Sequence, residues 1–172
     1  MRLLGAMALD PIIYEEVEAD PGATTQALIV VVLSSLGAGI GSRGFGAGSL
    51  TSIAFISAVA LIAWVAWALV TYEIGTRVMR EPQTHADVGE LLRTIGFSAA
   101  PGMLRVFGIV PGASWAAFAI TAVWMLMTMV VAVRQALDFT STARAIGVCV
   151  LGWALALGIA VTLGLIFGPT LS

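Results

Sequence analysis

The 172-residue chain has no lysine, one cysteine, one histidine and only 10% charged residues. Each scarcity excludes something. The lone Cys149 cannot form an internal disulfide, so no disulfide framework holds the fold. The lone His85 rules out a His-Glu-x-x-His zinc helix, and one imidazole with the loop carboxylates Asp87 and Glu90 is a thin metal-ligand set. With a net charge of -2 and no basic stripe, a nucleic-acid partner is not expected. All eight basic residues are arginine, a usage that suits a GC-rich bacterial genome. Guanidinium is also more weakly hydrated than ammonium and tolerates interfaces and buried pairs better. The longest polar stretch, about residues 73–90, is too short to build a soluble core of its own.

What the chain does have is long apolar runs. Hydrophobic residues make up 59% of it, and the mean hydropathy is +1.01. Only lipid accommodates so much apolar surface, because a spanning helix buries its whole circumference. The expected fold is all-α: one polytopic integral membrane bundle over 1–172, with about five transmembrane helices and a short N-terminal amphipathic helix. The spans fall near 24–40, 50–72, 90–110, 114–133 and 145–167.

The N-terminal segment 1–22 reads as a surface element. Arg2 and the apolar stretch Leu3 to Leu9 have the start of a signal peptide, but Asp10, Pro11 and an acidic cluster follow instead of a small-residue cleavage site, so the segment is expected to be retained. Asp10 and Pro11 form an N-cap and first-turn pair, and Pro21 ends the helix they begin. Ile13 and Val17 share one face, which would lie on the membrane or against the bundle; the alternative is a solvated tail, since a helix this short is marginal alone.

The third segment is the ambiguous one. Only eleven residues separate Arg93 from Arg105, too few to cross. A span over 90–110 works if both arginines snorkel to opposite surfaces, with Pro101 kinking it. A re-entrant hairpin is the alternative. The stretch Thr84–Asp87 has the form of a capping box and should start this helix.

Orientation follows from the arginines. With five spans and a cytoplasmic N-terminus, Arg2, Arg77, Arg80, Arg93, Arg134 and Arg144 lie inside, and Arg43 and Arg105 outside. All ten acidic residues then lie inside too. The inner face carries both signs of charge, and a soluble partner would be met there.

Several patterns invite a chemical reading. Gly96-Phe-Ser98 has the Gly-x-Ser form of an intramembrane serine protease, but on one helix His85 and Ser98 would stand roughly 20 Å apart, which makes Ser98 a packing residue. The glycine-dense run 37–49 lacks the Lys-Ser/Thr and the preceding strand of a phosphate-binding loop. Charges at span ends form a more substantial set: Glu73, Glu90, Arg93, Arg134 and Asp138 converge on the inner interface. Arg134 and Asp138 would share a face if their helix continues. Either these are ion pairs that fix helix register, or they form a polar site at the mouth of the bundle. Gly37 with Gly41 in span one, and Gly147 and Gly152 in span five, offer flat faces for close helix packing, and hence for a homodimer.

Three stretches together resemble the Yip1 family in its bacterial form: LDPIIYEEVEADP at 9–21, GELLRTIGFSAAPGMLR at 89–105, and VAVRQALDF at 131–139 leading to Arg144–Ile146. The resemblance implies five spans, an inner N-terminus and no known catalytic centre. The long cytosolic N-terminal region by which eukaryotic members bind small GTPases is not matched here, so GTPase binding is not carried over. The expected role is therefore non-enzymatic: no cofactor or metal, helix packing, and association with membrane lipid or a protein partner at the cytoplasmic face of a bacterial inner membrane. The rival is a small transporter or channel using Glu73, Arg93, Arg134 and Asp138.

Overall fold

The computed structural model describes residues 1–45 and 50–167; residues 46–49 of the glycine-dense run, and the surroundings of Gly164, lie outside the described residues. All regular structure among the described residues is helical. In chain order the helices are α1 (Arg2–Met7), α2 (Pro11–Ala19), α3 (Ala23–Gly41), α4 (Leu50–Glu73), α5 (Val88–Ser98), α6 (Ser114–Ala136) and α7 (Thr142–Phe167). A π turn, Ile74–Val78, prolongs α4, and a 3-10 helix, Ala100–Ile109, prolongs α5.

Four helical stretches are long and apolar enough to cross a membrane: Ala23–Gly41, Ala58–Val78, Ser114–Ala136 and Thr142–Ile159. They leave large apolar side chains uncovered, among them Ile62 and Leu69 on α4 and Trp115, Ile120 and Val123 on α6. Such rows are costly against water and favourable against acyl chains. The chain is a multi-pass membrane protein.

The third segment runs the length of the bundle in two pieces. Eleven residues of α-helix and ten of 3-10 helix reach roughly 36 Å together, because the tighter helix rises about 2.0 Å per residue against 1.5 Å. Its neighbours confirm an end-to-end course. Gly96 packs on Ala27 near the start of α3, Gly102 on Ser34, and Gly108 beside the carbonyl of Gly41 at the end of α3. Along α6 the order reverses: the Thr128 hydroxyl donates to the Ser98 carbonyl at 2.7 Å, and the Ser114 hydroxyl donates to the Gly108 carbonyl at 2.7 Å. A re-entrant hairpin would return to its starting level; this segment does not. Pro101, at the head of the 3-10 stretch, lacks the N–H an α-helix would use there, so the helix changes type rather than kinking within one type.

Segment 1–22 is a helical hairpin docked on the bundle. Asp10 caps α2 as its residue type dictates, accepting from the Ile12 N–H at 3.0 Å, with Pro11 at the first helical position. The buried face is Tyr14 and Val17, with Ile13 partly buried beside them. The Tyr14 hydroxyl donates to the Ala6 carbonyl, and the Trp124 indole N–H of α6 donates to the Met7 carbonyl at 2.7 Å.

Candidate functional site

The ends of α2, α5 and α6 and the loop 79–87 meet at one end of the bundle, around an open groove of about 720 Å³ lined by Glu15, Glu18, Gln83, Glu90, Arg134 and Asp138 among others. Four of these are carboxylic acids and one is a guanidinium. Each is placed by local structure. Glu90 sits in the first turn of α5, where its carboxylate accepts from the Asp87 N–H at 2.7 Å while Asp87 accepts from the Glu90 N–H at 2.8 Å. This reciprocal cap lies one turn later than Thr84–Asp87 suggested: Asp87 is the cap itself. Glu15 is held by Gln135, whose amide donates to it at 2.8 Å.

The end of α6 corrects one expectation. The helix stops at Ala136 instead of continuing, and Asp138 has a φ of 51°, in the left-handed region that, glycine apart, asparagine and aspartate visit most readily. Asp138 thus leaves the face of Arg134. Arg134 instead donates to the carbonyl of Phe139 at 3.3 Å, near the negative end of α6. Asp138 turns toward the loop and accepts from the His85 N–H at 3.4 Å.

The other charges of the expected cluster divide. Glu90, Arg134 and Asp138 do share the groove. Arg93, nearly buried, stands behind it and donates from Nε to the Glu18 carbonyl at 3.1 Å. Glu73 lies apart, pairing with Arg77 one turn along at 2.9 Å on an exposed surface. Glu15 and Glu18 were outside the expected set, and their part in the groove depends on the hairpin folding back. Burial pushes the Glu18 carboxyl up to about 7, reinforced by repulsion from Glu90, Asp138 and Glu15 and partly offset by Arg93.

Beside the groove is a clasp the sequence did not disclose. Glu81, buried despite its loop position, pairs with Arg144 Nε at 2.9 Å and accepts from the Thr140 N–H at 3.1 Å and the Thr140 hydroxyl at 3.0 Å. The Gln83 amide also donates to it. These bonds, led by the Thr140 N–H, hold the Glu81 carboxyl below its usual range. The clasp fixes the loop after α4 to the head of α7. A partner 59 residues away leaves no local pattern to read.

Of the catalytic and metal patterns, Ser98 donates to the Ile95 carbonyl at 2.7 Å and His85 lies exposed against the Gln83 carbonyl. Among the described residues no group of three His, Cys, Asp or Glu is placed to hold a metal ion.

The four packing glycines are all engaged within the chain. A Cβ at Gly37 would stand 2.8 Å from the Met103 carbonyl oxygen, and Gly41 meets the Arg105 carbonyl. A Cβ at Gly147 would stand 2.8 Å from Met79 Cε, and one at Gly152 2.9 Å from Trp67 Cη2. Their closeness lets α3 lie on the third segment and α7 on the α4 side, and so leaves no free small-residue face at these positions for a second copy.

A bundle of apolar helices with acidic and basic groups gathered at one end defines a class of helical membrane protein. The family model for the Yip1 domain matches residues 10–163, and the chain belongs to that family. No curated protein and no solved structure matches the chain.

Proposed function

We propose that this Yip1-domain protein acts without catalysis, by holding a partner at its charged end, and that this end faces the cytoplasm of a cell with the protein in its inner membrane. The observation that carries the reading is the groove itself. Four carboxylic acids and one guanidinium line it, it is open to solvent, and the folded-back hairpin shapes one wall. A basic segment of a soluble protein suits that lining, since charge complementarity steers and orients an encounter at such a rim. The arginine asymmetry supports the cytoplasmic assignment.

A photo-reactive residue in place of Gln83, compared with one in place of the exposed Arg43, tests this in intact membranes. A discrete protein adduct from position 83, lost on combining Glu15→Lys with Asp138→Lys, is the expected result. Adducts to lipid alone, or an adduct indifferent to charge reversal, would reject it. The transport reading requires a path inward from this groove. On α5, directly after Glu90, Leu91 and Thr94 are fully buried, which favours the docking role.

A further inference from the structure

A second cavity, of about 390 Å³, lies within the apolar part of the bundle between α3, α4, α6 and the third segment. Its walls are mostly apolar, with Val31, Trp64, Met125 and Met129 among them, and its volume is in the roughly 300–1,000 Å³ range of small-molecule sites. Two of its lining residues do not fit an apolar void. One is Arg105. The other is Trp67, whose indole Nε1–H is buried and has no hydrogen-bond partner.

Arg105 has neutral neighbours. Its Nε donates to the Thr121 hydroxyl at 3.2 Å, and its guanidinium lies 5.4 Å from the centre of the Phe118 ring. All ten side-chain carboxylates of the chain fall within residues 10–20, 73–90 and at 138, and among the described residues none pairs with Arg105. No acidic side chain neutralises this arginine. An ionisable side chain within a membrane bundle normally faces a charge partner or a functional ligand. Depth argues for the ligand's nature: the Arg105 carbonyl meets Gly41, the last residue of α3, so Arg105 enters near the level where a spanning helix reaches lipid phosphates.

We propose that this cavity is a binding site for one glycerophospholipid of the leaflet at that end. Its phosphate is held by Arg105, and one acyl chain runs inward along Met125, Met129, Val31 and Trp64 toward the level of Trp67. Guanidinium suits phosphate because its planar fork donates two bonds at once. The site is separate from the charged groove and does not depend on the role proposed for it.

Native mass spectrometry of the full chain tests the site, with phosphatidylglycerol added as probe to protein in a mild detergent and oleate in a parallel arm. One retained phosphatidylglycerol per chain is expected, with retention falling at least about tenfold in Arg105→Gln, which keeps length and loses the charged fork. Arg43→Gln, an exposed arginine at the same end, should retain lipid as the parent does. Ala63→Phe fills the cavity without touching Arg105 and should also displace the lipid, so the proposal stays testable if Arg105→Gln fails to fold. Equal retention by parent and Ala63→Phe, or equal loss in Arg43→Gln, overturns the site. Preferential retention of oleate overturns the phospholipid assignment.

Discussion

Arg93 donates through its guanidinium to the main-chain carbonyl of Glu18, so a buried cation on α5 holds the end of α2. A neutral oxygen takes this contact, although the Glu18 carboxyl belongs to the same residue. The consequence is that the N-terminal hairpin is anchored by backbone and is insensitive to the ionisation of its own acids at that contact.

Arg93→Leu should therefore loosen the hairpin. The orphaned Glu18 carbonyl and lost charge-assisted bonds cost about 1.5–3 kcal/mol. Thermal unfolding in detergent should show the loss, with protease cleavage appearing first within residues 8–22. Unchanged melting and unchanged cleavage would remove the anchor.

The raised pKa of Glu18 sets a pH dependence. The folded chain holds this proton up to about 7, whereas the unfolded chain releases it near 4.5. The stabilisation is thus complete below 4.5 and is lost as pH rises through about 7. Glu18→Gln removes this decline and should stabilise the protein by about 1 kcal/mol at pH 8, a figure reduced for the half-exposed side chain. Parallel melting curves for mutant and parent across pH 4.5–8 would contradict it.

Glycine substitutions should grade with their surroundings. Gly37→Ala drives a Cβ against the Met103 carbonyl oxygen, 2.8 Å away, and backbone there cannot retreat. A cost of about 1–3 kcal/mol is expected. Gly147→Ala meets only the flexible end of Met79, and Gly158→Ala meets nothing within 4 Å. Both should stay within about 0.5 kcal/mol. If self-association occurs in lipid, Gly158→Leu is the variant that should alter it, because that glycine alone of these three has open space. Equal melting temperatures for Gly37→Ala and Gly158→Ala would refute the ranking.

Topology can be checked with single cysteines in a Cys149→Ala background. Arg80→Cys and Pro111→Cys lie on exposed residues at the two ends of the bundle. Labelling of position 80 from the cytoplasm and of position 111 from the other side is expected. The same side for both would show that the third segment does not traverse lipid.

Much of this architecture was legible in the sequence because lipid imposes a one-dimensional rule. The runs 24–40, 50–72, 114–133 and 145–167 lie within or nearly coincide with α3, α4, α6 and α7. Helix fills the third run, Val88–Ser98 and Ala100–Ile109 against 90–110, but its change of type was not legible, since Pro101 signals a break without stating what replaces the α-helix. The groove was half legible. Glu90, Arg134 and Asp138 sit at span ends, where hydropathy locates them, whereas Glu15 and Glu18 join only through the hairpin's tertiary docking. The Arg134–Asp138 pairing failed because it assumed one more helical turn than α6 has. The Glu81 clasp was invisible for the same reason as the hairpin: both depend on contacts across long stretches of chain.

Those separations bear on how the molecule is made. Met7 meets Trp124 and Glu15 meets Gln135, 117 and 120 residues further along the chain. Synthesis at about 5–20 residues per second leaves the hairpin without its seat for several seconds or more after it emerges. The hairpin is therefore fully seated only long after it is made, and the acidic wall of the groove closes only after α6 has been inserted. A chain stopped before Trp124 would hold its hairpin through Arg93 but without the α6 contacts, so completion of the groove reports that most of the membrane domain is already in place.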